Sequence, residues 1–308
     1  MQPSTKSTID QRSAGTDTWL SFVRDEPRVS LDHEYRYNVL DTEEAVGQAL
    51  LDELIAYSTE KEGDIVFVLL GGRGAQAMYR LIAQQCETGD LDEMLARLHV
   101  FTQDALAPMR MENGLSFVRD FERLLGDKFF AKVKSFTPMQ TETGDVVAEL
   151  TGYMERIAEL GGIDLFYLGL GPEANAASHL CYIKPGSNAK LTDYAGAISI
   201  SADILEHHIS KFKAGGSSVS TEDEAECRRA THILTLGPAA ILSAKRVVQS
   251  IVDASTAPAK KASFRRVVDA KLSADPDELA RQVDENPGLL IRLHPDVRAY
   301  VLPDLISQ

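Results

Sequence analysis

The stretch "DIVFVLLGGRGAQAMYRLIAQQ", residues 64–85, joins three patterns that together indicate the fold. Residues 65–70 form a short, continuous apolar run, which is typical of a strand buried on both faces of a parallel sheet. A glycine-rich turn follows, and from residue 75 the apolar positions recur at helical spacing. The stretch therefore predicts a strand, a glycine turn and a helix, the repeating unit of a parallel α/β sheet.

The same alternation of strand and helix continues along the chain. "LHVFTQDAL" and "IDLFYLGLG", residues 98–106 and 163–171, predict two further buried strands with amphipathic helical segments between them. The sequence therefore predicts an α/β fold, a three-layer α/β/α sandwich around a mainly parallel, doubly wound sheet. Polar residues 1–15 are expected to form a disordered tail, and residues 30–304 a single domain. Residues 212–227 have few apolar side chains and are expected to form a mobile surface loop.

Charge and composition exclude several classes of function. The 308 residues carry a net charge of −14 at pH 7, which makes nucleic acid and anionic membrane surfaces unfavourable partners. No apolar run reaches the ~18 residues of a membrane helix, and the polar N-terminus lacks the apolar core of a signal peptide. The cysteines, Cys86, Cys181 and Cys227, are far apart, so they are expected to be reduced thiols of a cytoplasmic protein.

Glycines and an arginine follow the first predicted strand. Gly71, Gly72 and Gly74 precede a helix whose N-terminal N–H groups favour an anion, and Arg73 adds a positive charge there. Their spacing differs from the glycine motifs of nucleotide-binding proteins, so a bound nucleotide is weakly supported. Two interpretations stay open: an anion site, or a tight turn beside a surface arginine.

A second polar position is Asp104, which directly follows a buried strand. Ligands of open parallel sheets bind beyond the carboxyl ends of the strands, where an aspartate is well placed to act as a general base. An aspartate that caps a helix or stabilises a turn is the alternative interpretation.

The third predicted strand leads into "GPEANAASHLCYIKPGS", residues 171–187, which is rich in polar side chains. Gly171 is a further candidate for anion binding, and the candidate catalytic residues of this stretch are Glu173, Asn175, His179 and Lys184. A histidine here can serve as a base, although a solvated loop histidine is the commoner case. The sequence contains no recognised metal-binding or nucleophile motif, and we expect no cofactor.

These segments, in their order along the chain, resemble the glucosamine-6-phosphate deaminase and 6-phosphogluconolactonase family. Residues 161–187 resemble that family's "GGIDLFLGGIGPDGHIAF…PGS", and "VFTQDAL" resembles its strand ending in F-N-M-D-E. Residues 69–82 are similar to its phosphate loop, and residues 231–248 and 286–304 to two motifs near its C-terminus. The resemblance covers the chain from about residue 40 to residue 304 and implies the three-layer α/β fold of that family.

The resemblance implies roles for particular residues and also two substitutions. Asp104 lies where the deaminases hold the aspartate that moves a proton between C1 and C2 of the open sugar. Asn175 and Lys184 lie where the family has its ring-opening histidine and the glutamate that orients it, so standard ring opening is expected to be absent. Lys261 matches the family's phosphate-binding lysine. His179 follows Asn175 by four residues and is the candidate substitute base.

Four functions stay open on this evidence. The first is a divergent isomerase or deaminase of a phosphorylated sugar or related small carbohydrate, with Asp104 as the proton-transfer group. The second is a lactone or ester hydrolase of the 6-phosphogluconolactonase type, and the third is a sugar-phosphate-binding protein without catalysis. The fourth is a biosynthetic enzyme with a non-phosphorylated substrate, which Lys184 would suit. The first three predict a small anionic carbohydrate as ligand. Nucleic acid and membrane are not expected as partners, and a homo-oligomer is left open.

Overall fold

The strands of the fold form two main sheets and one short hairpin. The computed structural model describes residues 8–22, 27, 29–31, 34–172, 177–255 and 257–307. The strands are β1 (Ile9–Ala14), β2 (Asp17–Phe22), β3 (Tyr37–Val39), β4 (Ile65–Leu69), β5 (Leu98–Thr102), β6 (Asp104–Ala107), β7 (Ser135–Thr137), β8 (Leu165–Leu168), β9 (Gly171–Pro172), β10 (Ser178–His179), β11 (Ala195–Ser199), β12 (His232–Leu236), β13 (Arg246–Ile251) and β14 (Val297–Val301).

The central sheet is parallel throughout. Seven of the strands just described pair in the order β3-β14-β13-β8-β4-β5-β7, each parallel to its neighbours. Both faces of this sheet are covered, which explains the continuous apolar run of β4. Its side chains alternate between two cores, with Val66 and Val68 in one and Ile65 and Phe67 in the other. The predicted α/β class and the mainly parallel sheet are confirmed.

Helices cover both faces of the central sheet. The helices of the described residues are α1 (Glu43–Glu60), α2 (Gln76–Thr88), α3 (Asp92–Leu95), α4 (Phe117–Lys132), α5 (Val146–Glu159), α6 (Ala202–Ala214), α7 (Thr221–Cys227), α8 (Pro238–Ser243), α9 (Ala259–Asp269), α10 (Pro276–Glu285) and α11 (Pro303–Ile306), with 3₁₀ turns at Arg73–Ala75 and Pro287–Leu293. Thr42 and Ser116 start α1 and α4, because each side chain accepts a hydrogen bond from a backbone N–H of the first turn. Within the described residues no helix is long and apolar enough to span a bilayer.

A second sheet, which the sequence did not predict, is antiparallel. Its strands within the described residues run in the order β1-β2-β11-β12-β6. β6 follows β5 after one residue, so the chain leaves the parallel sheet at Gln103 and enters the antiparallel one at Asp104. The two sheets therefore meet at the position of a predicted site residue.

The predicted disordered tail, residues 1–15, is wrong for residues 9–14, which form β1 and pair with β2. Residues 1–7 lie outside the described residues. β2 buries Trp19, Leu20 and Phe22, and β1 satisfies the backbone groups of its outer edge. The fold thus begins well before residue 30, and the single-domain organisation stays a prediction.

The predicted loop of residues 212–227 is wrong at both ends, because residues 212–214 belong to α6 and residues 221–227 form helix α7. Ser220 and Asp223 form a capping box at the start of α7, and Cys227 at its end is fully buried. Glu226 also accepts hydrogen bonds from the backbone N–H and the guanidinium of Arg110, at 2.9 and 2.8 Å. Caps and ion pairs, rather than a large apolar face, hold this segment.

Candidate functional site

A cavity of about 120 Å³ lies beyond the carboxyl ends of four neighbouring strands, β5, β4, β8 and β13. Its lining includes the residues that follow β4, the first residue of β6, and residues of β10 and α6. This is the place where open parallel sheets bind ligands. The cavity therefore brings several of the predicted site residues together.

The glycine turn after β4 forms one side of the cavity. A Cβ atom on Gly71 would lie 2.4 Å from Cε1 of Phe117, so the ring approaches the turn only because residue 71 is glycine. Gly72 has a φ of +77°, a conformation that favours glycine. The backbone carbonyl of Gly74 accepts a hydrogen bond from Ser250 Oγ at 2.6 Å, which ties the turn to β13. The turn is thus fixed in shape before any ligand binds.

Arg73 lines the cavity but its charge is balanced. Its guanidinium forms an ion pair with Glu43 at the start of α1, and this hydrogen bond raises the pKa of Arg73. The side chain is about 41% exposed, so the ion pair competes with water. Arg73 is therefore a weaker anion ligand than a buried cation would be.

Asp104 is buried at the cavity, with a residue exposure of 4%. Among the described residues, no hydrogen-bond partner reaches its Oδ1. Burial raises the pKa of Asp104 to about 8, because a buried carboxylate loses its hydration. Gln103 fixes the chain just before it, since its amide donates to the carbonyls of Leu69 and Tyr167 at 2.9 and 3.1 Å. Asp104 is thus a carboxylic acid, with its proton, at neutral pH.

His179 lies between a glycine and an aromatic ring. In the hairpin of β9 and β10 it pairs with Gly171, where a Cβ atom would lie 1.8 Å from His179 Nε2. The ring of Tyr182 stacks on the imidazole, with centroids 5.0 Å apart and an interplanar angle of 9°. Burial, with the charges of His207 and Lys260, lowers the pKa of His179 to about 3. The imidazole is therefore neutral at pH 7.

Tyr182 belongs to a tight turn that carries two side chains into the cavity. Cys181 and Tyr182 have φ values of +48° and +55°, and Ile183 N donates to the Leu180 carbonyl at 2.7 Å. This conformation is costly for residues other than glycine and asparagine, by about 1–3 kcal/mol each, and such strain is found mostly at functional sites. The turn therefore marks this side of the cavity as a place where side-chain position matters.

The buried imidazole of His208 forms a hydrogen bond with the Tyr182 hydroxyl. His208 Nε2 lies 2.7 Å from the Leu115 carbonyl, which can only accept, so Nε2 carries the proton. Nδ1 is then the acceptor for the Tyr182 hydroxyl, 3.3 Å away. Burial lowers the pKa of His208 to about 4, which keeps this arrangement neutral.

Two lysines bring positive charge to the cavity. Lys260 of α9 is 8% exposed and forms an ion pair with Asp253, and Lys211 of α6 lies 3.7 Å from the same carboxylate. Burial opposes ionisation of Asp253, but the charge and hydrogen bond of Lys260, together with the Lys211 charge, outweigh it and hold the pKa of Asp253 below its usual range. Two ammonium groups around one carboxylate leave a net positive charge, which suits an anionic ligand.

Comparison with known proteins identifies distant relatives of one kind. Glucosamine-6-phosphate deaminase from Halothermothrix orenii is 25% identical over 249 residues, which cover 79% of this chain and 88% of the relative. The deaminase from Hahella chejuensis is 24% identical over 276 residues, which cover 89% of this chain and 91% of the relative. No protein-family model matches the chain.

Solved structures share the fold. A monomeric glucosamine-6-phosphate deaminase matches with a TM-score of 0.68 at 18% identity, covering 89% of this chain and 99% of that structure. A 6-phosphogluconolactonase from Trypanosoma cruzi matches with a TM-score of 0.62 at 14% identity, covering 89% and 97%. The chain is thus similar in sequence to the deaminases and shares its fold with a deaminase and a lactonase. The resemblance seen in the sequence is confirmed.

The structure separates the predicted site residues into three groups. The cavity is lined by Gly71, Gly72, Arg73, Gly74, Asp104, Gly171 and His179. Glu173 and Asn175 lie outside the described residues. Lys184 and Lys261 are described, but neither lines the cavity.

The side chains of Lys184 and Lys261 form hydrogen bonds away from the cavity. Lys184 Nζ donates to the backbone carbonyl of Ser199 at 2.5 Å, at the end of β11. Lys261 Nζ donates to Ser307 Oγ at 3.1 Å on an exposed part of the surface. The lysine at the cavity is Lys260, one residue earlier. It lies on the buried side of α9 with Ser263, Phe264 and Val267.

Proposed function

We propose that the chain is an enzyme that acts on a phosphorylated sugar or a related small anionic carbohydrate, with Asp104 as its acid–base group. The observation that carries the proposal is the place of Asp104, whose buried carboxyl lines the same cavity as the glycine turn and two lysines. Such a cavity can bind the anionic group of a substrate at the glycine turn and the lysines while Asp104 exchanges a proton with the reacting part. The names of the relatives, which are deaminases and lactonases of phosphorylated sugars, agree with this class.

In this proposal the anionic group of the substrate binds between the glycine turn and the two lysines. The glycine turn lies just before α2, whose free N–H groups favour negative charge. Lys260 of α9 and Lys211 of α6 add positive charge to the same cavity. Lys260 therefore takes the role that the sequence proposed for Lys261. Gly171, a candidate for anion binding, and His179, the candidate base, line the same cavity, and we propose that both contact the substrate.

A lactone hydrolase of the 6-phosphogluconolactonase type is the second candidate, because the neutral imidazole of His179 lines the same cavity as the protonated carboxyl of Asp104. In that reaction the oxygen of a water molecule bonds to the lactone carbonyl carbon, and His179 takes the proton of the water. The ring C–O bond then breaks, and Asp104 gives its proton to the leaving oxygen. The resemblance implies that deaminases and lactonases of this kind both use the histidine that Asn175 replaces, so either reaction needs a substitute base here, for which His179 is the candidate.

The test is a substrate panel with separate readouts. Aldose phosphates, amino-sugar phosphates and 6-phosphogluconolactone are incubated with the protein, and ammonia, isomerised sugar and acid are measured. Stabilisation against heat is measured in parallel, because a ligand at 100 times its Kd adds about 2.7 kcal/mol. We expect turnover of at least one compound and a loss of at least ~100-fold in Asp104→Asn with binding retained.

Three outcomes would contradict the proposal in different ways. The absence of any thermal shift would exclude a sugar-phosphate site. Binding without turnover would make the chain a sugar-phosphate-binding protein, and full activity of Asp104→Asn would remove Asp104 from the mechanism.

A further inference from the structure

Five rings form one side of the cavity, which we call the aromatic wall: Phe117, His179, Tyr182, His208 and Phe212. They form a connected series. His179 stacks on Tyr182, and Tyr182 lies 6.3 Å from Phe117 between ring centroids. Phe117 meets both His208 and Phe212 edge to face at 5.2 Å. Rings in such contact offer a continuous surface of low polarity to whatever fills the cavity.

Helix α6 places the aromatic wall next to the positive charges. His208 and Phe212 are four residues apart on this helix and belong to the wall, with centroids 4.1 Å apart. His207 and Lys211 are also four residues apart, so they share a neighbouring face of the helix. All four residues line the cavity. One ligand can therefore contact the lysines with one end and the aromatic wall with the other.

Three rings of the wall are buried, whereas Tyr182 and His179 are partly accessible. Local geometry constrains the positions of both of these rings. Tyr182 lies in the turn with two left-handed residues, and His179 faces the glycine that has no room for a Cβ atom. The chain thus holds in fixed positions the two rings that a ligand can reach.

We infer that the ligand is a phosphorylated ring, whose phosphate lies at Lys211 and Lys260 and whose apolar ring face lies on the aromatic wall. The inference rests on the proposed function and narrows it to substrates bound as closed rings rather than open chains. A ring has a flat face of C–H or π character that stacks on aromatic side chains, and an open polyhydroxylated chain has none. A pyranose and an aromatic ring both provide such a face.

The experiment compares ligands of equal charge. Dissociation constants are measured by calorimetry for inorganic phosphate, glucose 6-phosphate, its open-chain alcohol sorbitol 6-phosphate, and phenyl phosphate. Glucose 6-phosphate and sorbitol 6-phosphate share the phosphate and nearly all the hydroxyl groups, so they differ mainly in the ring. We expect the ring to bind at least tenfold more tightly than the chain, and phenyl phosphate at least tenfold more tightly than inorganic phosphate if the ring is aromatic.

Two variants link the result to the aromatic wall. Tyr182→Ala removes the ring and should abolish the preference for a ring over a chain. Tyr182→Phe keeps the ring, loses the hydrogen bond of the hydroxyl to His208, and should retain the preference within about threefold. Circular dichroism and thermal unfolding of both variants show whether the fold is kept.

The outcomes separate the inference from the proposed function. Equal affinity for glucose 6-phosphate and sorbitol 6-phosphate would overturn the inference and leave the anion site intact. A ring preference that survives Tyr182→Ala would also overturn it, because the preference would then arise elsewhere. Failure of all four compounds, inorganic phosphate included, would overturn the proposed function and the inference with it.

Discussion

A Cβ atom on Gly171 would lie 1.8 Å from Nε2 of His179, so the imidazole occupies its place only because residue 171 is glycine. Tyr182 stacks on the same imidazole. His179 is therefore held between a backbone and a ring, and its position is built into the fold rather than left to a flexible loop.

Gly171→Ala should displace His179. Overpacking of this kind costs about 1–3 kcal/mol, and we expect a loss of that size in the free energy of unfolding. Urea denaturation measures the loss, and the imidazole ¹⁵N signals of His179 report its new environment. Gly152→Ala is the matched control, because that glycine lies in α5 with nothing near its Cβ position. The control should gain up to ~1 kcal/mol. Unchanged His179 signals in Gly171→Ala would contradict the argument.

The raised pKa of Asp104, about 8, predicts a defined pH dependence of stability. An aspartate of the unfolded chain has a pKa of about 3.9, so between these pH values the folded state holds a proton that the unfolded state has lost. Stability then falls as the pH rises from about 4 to about 8, by up to ~1.4 kcal/mol per pH unit, and levels off above 8.

Asp104→Asn removes this dependence, because asparagine does not titrate. Relative to wild type, the variant should therefore gain stability between pH 5 and pH 8.5, by a few kcal/mol. Urea denaturation of both proteins at the two pH values measures the gain. A difference between the two proteins that is the same at both values would show that Asp104 is ionised in the folded state.

Adjacent lysines of α9 should behave differently. Lys260→Met leaves Asp253 buried with a weaker partner and should cost ~3–5 kcal/mol, whereas Lys261→Met loses one surface hydrogen bond and should cost under ~0.5 kcal/mol. Adding Asp253→Asn to Lys260→Met should restore part of the stability. Calorimetry with inorganic phosphate should show a loss of at least tenfold in affinity for Lys260→Met and under twofold for Lys261→Met. Equal effects of the two would place the anion elsewhere.

The parallel sheet could be predicted because each of its central strands has a recognisable sequence pattern. β4, β5 and β8 are short apolar runs that end at glycine or polar residues, a pattern that depends little on the rest of the chain. The antiparallel sheet could not. β1 reads "IDQRSA", which is polar, so it becomes a strand only beside its partner β2.

The candidate site was predictable to the same extent. Asp104 and the glycine turn follow recognisable strands, and the place of strand ends in a parallel sheet brings them to one cavity. Lys211 and the rings of α6 have no such signal, because which face of a helix meets the cavity is decided by tertiary packing. Burial in the structure distinguishes Lys260 from Lys261, whereas in the sequence both lysines have apolar residues at helical spacing, since Phe264 is followed by Val267 and Val268.

Trp19 links the N-terminal hairpin to the rest of the fold. The side chain is fully buried, and it lies so close to Gly196 of β11 that a Cβ atom there would be 2.5 Å from Cε3. Its Nε1 donates to the Ser187 carbonyl at 3.1 Å. Trp19→Ala should therefore lose about 3–5 kcal/mol, and removal of residues 1–22 should lose at least as much.

Trp19 is the single tryptophan of the chain, so its fluorescence reports this contact directly. In the native protein its emission should be that of a buried indole and should shift to the red in the same urea transition that unfolds the backbone. A disordered N-terminus predicts the opposite: red-shifted emission without denaturant, and unchanged stability in the shortened chain. Emission spectra and circular dichroism along one urea titration distinguish the two. If the hairpin is part of the fold, the indole signal and the backbone signal must change together, because β11 cannot stay covered once β2 has left it.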